Sequence, residues 1–170
     1  MRRWTAALLV VLVLLICLGL GLTVRLLGVG LLRVTGSSMN NTLRDGDIVL
    51  VTRFDYRGGR TPGRGAVVEC RFPGRDGNYI KRVVGLPGDR LAFSEGFLTL
   101  NGEAVMEPYV SSVTDDYAIE LEEDQYLLLG DNRAESYDSR MSDMGAVGAD
   151  AFSGRVRAVV WPLKRIGGIE

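Results

Sequence analysis

The hydropathy pattern of the chain changes sharply after its first two dozen residues. Trp4 to Val24 is a run of 21 residues without a charge, preceded by Met1-Arg2-Arg3. As a helix rising 1.5 Å per residue it would be about 32 Å long, enough to cross the hydrocarbon core of a bilayer with Trp4 at one interface. The apolar region of a cleaved secretory signal is shorter, ~7–15 residues, and is followed by small residues. This run ends Leu22-Thr23-Val24-Arg25, and Leu15-Ile16-Cys17 lacks the small residue that lipoprotein processing requires. Residues 1–25 therefore read as a cytoplasmic tip and an uncleaved membrane anchor. Arg2 and Arg3 favour a cytoplasmic N-terminus, although Arg25 and Arg33 on the other flank weaken the asymmetry.

Beyond the anchor the apolar runs are short and punctuated by turns. Leu26 to Leu32 is apolar but broken by glycine, suited to a segment along the membrane surface or to the approach to a first strand. Val34 to Leu43 is small and polar and predicts a loop, Arg44-Asp45-Gly46-Asp47 a turn, and Ile48 to Thr52 a strand. Strands are predicted again at Ala66–Phe72, with loops at 57–65 and 71–78 on either side. Tyr79 to Val84 is a further strand, stopped by Gly85-Leu86-Pro87-Gly88. Asn101-Gly102 between Phe97–Leu100 and Glu103–Val105 predicts a type I′ hairpin. Acidic Asp115–Asp124 reads as a solvated excursion. Tyr126–Leu129 reads as a buried strand feeding Gly130–Arg140, whose mix of Asp, Arg and Ser is either a solvent loop or an ion-paired wall behind a site. Arg155–Trp161 is the last strand, closed by Pro162 and a basic tail. With 22 glycines the pattern describes a turn-dense, mostly β domain over residues 26–170.

Composition narrows the chemistry. Apolar residues make up 46% of the 170, enough for a core, and the formal charge of -1 offers no reason to expect nucleic acid as a partner. Histidine is absent, which removes Ser-His-Asp and Cys-His catalysis and the usual histidine metal sites. Cys17 and Cys70 lie too far apart in pattern to form a disulfide framework, and both read as packing residues.

The 20 basic residues include just two lysines, Lys81 and Lys164. Lys81 sits inside the Tyr79–Val84 strand, either pointing to water by simple alternation or present because its pKa can be moved, as that of arginine cannot. A serine nucleophile needs a base, and without histidine the candidates are a carboxylate or a lysine. The paired Asp-Thr-Gly or Asp-Ser-Gly loops of aspartic proteases do not occur. At an unperturbed pKa near 10.4 only about one lysine in a thousand is neutral around pH 7.4, so a lysine base must be desolvated.

Three stretches together resemble one family. Gly36-Ser37-Ser38-Met39-x-x-Thr42-Leu43, Tyr79-Ile80-Lys81-Arg82-Val83-Val84-Gly85-Leu86-Pro87-Gly88-Asp89 and Gly130-Asp131-Asn132-Arg133-x-x-Ser136-x-Asp138-Ser139-Arg140 are similar to successive boxes of the type I signal peptidases. Gly154-Arg155-Val156 and Trp161-Pro162 extend the likeness, which covers about residues 33–166.

The resemblance implies a membrane-bound serine endopeptidase that removes N-terminal signal peptides. Ser38 corresponds to the nucleophile, Lys81 to the general base of a Ser-Lys dyad, and Ser136 to the hydroxyl that orients it. Arg82 with Asp131, and Asp138 with Arg140, correspond to ion pairs that hold the site loops. Val34, Met39, Leu43, Tyr79 and Ile80 correspond to shallow apolar pockets for the small residues at positions -3 and -1 of a signal peptide. By the same likeness the fold is an antiparallel β-sheet catalytic domain on a single transmembrane helix, outside a bacterial cell membrane, with residues 93–123 as a small variable insertion. No cofactor or metal is implied, and the partners are exported preproteins and the lipid bilayer. Three positions depart from the family: Gly36 stands where some relatives carry a hydroxyl that assists the Ser38 N–H in the oxyanion hole, Asn41 where proline is usual, and Ala134 where an acid is frequent. The proline suggests that Asn41→Pro would be tolerated if the backbone there lies near φ -65°. Two rival readings stand beside it: another Ser-Lys protease, such as the self-cleaving domain of SOS repressors, which would need no membrane span, and an inactive, signal-peptidase-like, membrane-anchored binding module.

Overall fold

Runs of β-formers separated by glycine turns pair antiparallel in two sheets. The structure, a computed structural model, describes residues 2–26 and 28–169, and within the first helix the side chains of Arg2, Arg3 and Arg25 also lie outside the described part, so the charges expected to flank the anchor are not addressed by it. Helix α1 spans Arg2–Leu26. Among the described residues no helix is long and apolar enough to cross a membrane; what α1 does show is that its described side chains from Ala7 to Gly19 are exposed, Cys17 among them. Cys17 is therefore not a packing residue of the domain, because none of the described side chains of α1 is buried.

The strands are β1 (Val29–Arg33), β2 (Ile48–Thr52), β3 (Val67–Cys70), β4 (Tyr79–Gly85), β5 (Arg90–Ser94), β6 (Phe97–Leu100), β7 (Glu103–Val105), β8 (Tyr117–Glu120), β9 (Leu127–Leu129), β10 (Phe152–Trp161) and β11 (Gly167–Gly168). The larger sheet runs β1-β2-β10-β3-β4-β9, with β11 on β10, and the smaller runs β7-β6-β5-β8. The later part of the glycine-broken 26–32 segment thus enters the edge strand β1, paired with β2 from Val29 opposite Thr52 to Arg33 opposite Ile48.

Period-two alternation sorts β4 between faces. Tyr79 and Val83 join a core with Val68, Cys70, Phe72 and Leu128. Ile80 packs on the opposite face with Val34, Met39, Leu43, Val49 and Val67, and Val84 meets Leu91, Phe93, Leu98, Leu127 and Leu129 from the smaller sheet. Lys81 and Arg82 thereby leave the strand on opposite sides. Lys81 lies opposite Val68 of β3, and Arg82 opposite Val67 and Leu129.

Both hairpins of the smaller sheet turn through two residues at positive φ. Asn101 (53°) and Gly102 (90°) join β6 to β7 as expected, and Glu95 (53°) with Gly96 (85°) joins β5 to β6. Glutamate gives no turn signal at the first of these positions. The Glu95 N–H is held instead by Asp116 Oδ1 at 3.0 Å. Residues 115–124 are not the solvated excursion expected from their acidity. Tyr117–Glu120 forms β8 on the edge of β5, with Tyr117 and Ile119 half-buried while Ala118 and Glu120 face water, and Leu121 is buried. The acids outside the alternating positions mask a period of two.

The loop between β1 and β2 departs from expectation at Asn41. Its φ is 89°, a left-handed conformation that suits asparagine and that the proline ring cannot adopt, and its Nδ2 donates to the Tyr109 carbonyl at 3.3 Å. Asn41→Pro is therefore expected to destabilise the fold by more than ~1 kcal/mol instead of stabilising it, and to lower activity with it. A thermal unfolding curve unchanged from wild type would show that the loop takes another path in solution.

Candidate active site

Burial of Lys81 follows from its place in β4, which has β3 on one side and β9 on the other. Only 2% of Lys81 is exposed. Its Nζ donates to Ser136 Oγ at 2.9 Å, the one side-chain hydrogen bond it makes among the described residues. Burial pulls the amine below its ordinary value of 10.5; Asp138, Cys70 and Asp131 act in the opposite sense, and Arg140 adds to the lowering. Between the depressed folded pKa and 10.5 the unfolded chain binds more protons than the native one. Lys81 therefore costs stability at neutral pH, and that cost is relieved as pH rises towards 10.5.

Ser136 is bracketed by charge. Its hydroxyl bonds the Asp138 carboxylate on one side and meets Lys81 on the other. Burial raises the Asp138 pKa, but hydrogen bonds from Arg140, Ser136 and the Gly130 N–H outweigh it and hold the carboxylate below its usual range. Arg140 grips Asp138 through Nε–Oδ1 at 2.8 Å and Nη2–Oδ2 at 3.0 Å, with the carboxylate fully buried. A carboxylate held this way adds stability above its unfolded pKa and loses it as pH falls through the lowered one.

Ser38 lines the same cavity as Lys81, a cleft of about 280 Å³ whose walls also include Leu32, Val34, Gly36, Met39, Tyr79 and Ile80. No hydrogen bond joins Ser38 to Lys81 among the described residues. A nucleophile and base that share a cavity commonly close that contact only once substrate is bound. Of the residues expected to form the substrate pockets, Val34, Met39, Tyr79 and Ile80 line the cleft, whereas Leu43 is fully buried behind them in the core. The cleft also has a polar side that the sequence did not announce. Glu69 is 1% exposed, and its Oε1 accepts from Asn78 Nδ2 at 2.8 Å and from Arg53 Nη2 at 3.2 Å.

The loop after β9 fastens the two halves of the site together. Asn132 N–H donates to the Ser38 carbonyl at 3.0 Å, and Asn132 Nδ2 to that of Ser37 at 3.2 Å. Gly130 lies between Ser38 and Ser136, where an added Cβ would sit 2.4 Å from the Ser38 carbonyl and 2.3 Å from Ser136 Oγ, so only glycine fits. On the other face of β4, buried Arg82 forms a two-pronged pair with Asp131 at 2.9 and 2.8 Å and donates to the Gly65 carbonyl at 2.7 Å, and Thr42 also donates to Asp131. The 130–140 segment is thus the ion-paired wall, not the solvent loop.

Gly36 has φ 88°, a conformation in which a side chain would be strained, and its N–H is taken by Asp45 Oδ1 at 2.9 Å. This accounts for a glycine at this position. Sequence reasoning gave no role to Arg133, Glu107 or Tyr109. Arg133 is 2% exposed and pairs with Glu107, while the Arg82 guanidinium lies 4.0 Å over the Tyr109 ring. Their signal was weak because 26 residues separate Arg133 from its partner.

Comparison with known proteins leads to one family. The family described as signal peptidase, peptidase S26, matches residues 1–161. Signal peptidase I of Bacillus caldolyticus is 33% identical over 148 residues, 78% of this chain and 79% of that protein. Signal peptidase I U of Bacillus subtilis is 32% identical over 153 residues, 83% and 80% of the two chains. The probable signal peptidase I-2 of Synechocystis is 34% identical over 142 residues; the match takes in 79% of this chain and 64% of that protein, just under two thirds of its length. The crystal structure of a signal peptidase I from Enterococcus faecalis V583 superposes with a TM-score of 0.51 and 28% identity, over 56% of this chain and 97% of that one. Since the family match runs unbroken from the helix through both halves of the cleft to the end of β10, this chain belongs to the signal peptidase family, peptidase S26.

Proposed function

We propose that the chain is a membrane-anchored endopeptidase that removes signal peptides from exported preproteins, with Ser38 as nucleophile and Lys81 as general base. The observation that carries this reading is the buried Lys81 amine, 2.9 Å from Ser136 Oγ, in the wall of the cleft that also holds Ser38. The donor direction suits the task. A neutral amine that donates one N–H to Ser136 keeps its lone pair for the Ser38 proton, and Ser136 in turn donates to ionised Asp138.

In the first half-reaction Lys81 takes the proton from Ser38 Oγ as the oxygen attacks the scissile carbonyl carbon. The resulting ammonium returns the proton to the leaving amine nitrogen, the C–N bond breaks, and an ester to Ser38 remains. In the second half Lys81 takes a proton from water, hydroxide adds to the ester, and Ser38 leaves reprotonated. The Ser38 N–H is one donor for the oxyanion. An extended substrate lies along the cleft, with small side chains towards Val34, Met39, Tyr79 and Ile80, pairing by its backbone as in strand addition.

Anchoring rests on the uncharged Trp4–Val24 run and on the exposed apolar surface of α1, where Leu8, Leu14 and Leu18 are 69%, 62% and 70% uncovered. In this reading the helix crosses a bacterial membrane once, with its N-terminus in the cytoplasm and the β domain on the outer face. Ser38 follows the helix end at Leu26 by a dozen residues, which keeps the cleft near the bilayer.

A serine-directed acylating inhibitor is expected to label Ser38, and incubation with an Ala-x-Ala preprotein to release the mature chain. Absence of both in folded protein would return the chain to an inactive binding module. Lys81→Ala and Lys81→Arg are expected to fall to near background while Lys164→Ala stays active, because arginine keeps the charge yet offers no neutral nitrogen. Activity should rise with pH along a limb whose midpoint lies below 10.5, as the buried amine loses its proton. Lys81→Met is expected to be inactive and more stable than wild type at neutral pH, a difference that narrows as pH rises towards 10.5. Ser136→Ala should lose less activity than Lys81→Ala, since the proton acceptor stays.

Gly130→Ala should abolish cleavage by driving Ser38 and Ser136 apart, whereas Gly102→Ala, which adds a methyl into open space, should affect only the β6–β7 turn. Equal cleavage rates for the two variants would remove Gly130 from the account. Deletion of residues 1–25 should spare cleavage of soluble peptides and weaken that of membrane-inserted preproteins; an equal loss on both would show that the helix also supports the fold.

A further inference from the structure

The segment between β7 and β8 contributes nothing to the walls of the cleft, yet four of its residues, Glu107, Tyr109, Ser112 and Thr114, reach the machinery behind it. The Tyr109 hydroxyl donates to Glu107 Oε1 at 2.8 Å, and Glu107 receives both ends of the Arg133 guanidinium, at 2.6 and 3.0 Å. Arg133 Nη1 also reaches Thr114 Oγ1 at 3.0 Å, and its Nε holds the Gly130 carbonyl at 3.0 Å. The Tyr109 ring lies 4.0 Å beneath the Arg82 guanidinium, and its carbonyl accepts from Asn41 in the loop that carries Ser38. Ser112 Oγ caps the Ala134 N–H at 3.1 Å. The smaller sheet therefore presents one segment that touches the nucleophile loop, the base strand and the 130–136 loop together.

We infer that Glu107 and Tyr109 are positioning residues for the cleavage reaction, holding Arg133 and Arg82 so that Gly130 keeps Ser38 and Ser136 at their working separation. The argument rests on the Ser38–Lys81 reading above. Arg133 cannot hold the Gly130 carbonyl in place without Glu107, because a fully buried guanidinium that loses its carboxylate moves towards another. The two buried acids of its own loop, Asp131 and Asp138, are already engaged by Arg82 and Arg140. Tyr109 supports Arg82 by a cation–π contact, while Asp131 holds the guanidinium through Nε and Nη2, and burial together with Glu107 raises the Tyr109 phenol pKa, so the hydroxyl remains a donor.

The test compares Tyr109→Leu, Tyr109→Phe and the double variant Glu107→Leu/Arg133→Met by peptide cleavage across pH, with folding checked by thermal unfolding. Removing both partners of a buried pair with apolar replacements keeps the fold accessible. Tyr109→Leu and the double variant are expected to lose roughly 10–100-fold in kcat, the cost of a misplacement of about 1 Å, with KM nearly unchanged because the cleft walls are untouched. The activity midpoint should also move to higher pH. Lys81 is faced by Asp138, Cys70, Asp131 and Arg140, and a loosened Ser136 admits water to the ammonium. Tyr109→Phe, which keeps the ring under Arg82, should retain most of the rate. A folded double variant or folded Tyr109→Leu with wild-type kcat and midpoint would overturn the inference while leaving the dyad intact. Wild-type protein that neither cleaves nor labels at Ser38 overturns the reading beneath it and the inference as well. If Tyr109→Leu does not fold, the double variant decides.

Discussion

A lysine amine kept out of water is the constraint on which the rest of this structure depends. An ammonium is stabilised by hydration, so a neutral amine at working pH requires that water be replaced by something that does not favour the charge. β4 does this by lying between β3 and β9, with Val68 directly opposite Lys81. The nearby carboxylates would undo the effect if their charge were unopposed. Asp138 is bound on two oxygens by Arg140, and Asp131 by Arg82 from the other face of the strand. Each acid near the amine is thus matched to an arginine, which leaves burial as the dominant influence on Lys81.

Such buried pairs are not primarily sources of stability. Desolvation offsets much of their attraction, but removing one partner costs roughly 3–5 kcal/mol because the other is left charged and unpaired. Their value here is in register. Arg82 connects β4 to Asp131 and Gly65, Arg140 connects Asp138 to the Arg133 carbonyl, and Asn132 holds the carbonyls of Ser37 and Ser38. Gly130 lies at the centre of this arrangement, where the backbone passes between the two serines with no space for a methyl group. The geometry of the cleft and the fold are therefore the same set of contacts, and the segment between β7 and β8 joins them through Glu107 and Tyr109.

The sequence by itself determined the strand that carries Lys81, the loop that carries Ser38, the Asn101-Gly102 hairpin and the turn-dense β class. Each depends on local preference: β-branched runs, glycine turns, and a period of two. It also reduced the possible bases to lysine, since the absence of histidine is visible without a fold. What depended on pairing between distant residues was not legible. Residues 115–124 looked solvated because their acids were counted before β5 was available to pair with β8, and Asn41 looked compatible with proline because φ is not written in the residue name. Leu43 could not be separated from Val34 and Met39 as a pocket residue until packing put it behind them. Whether Lys81 faced water or core, and whether the 130–140 segment was loop or wall, were decided by tertiary structure alone. Burial and charge pairing are properties of neighbours brought together in space, and Arg133 and Glu107 lie on segments that leave different sheets of the fold.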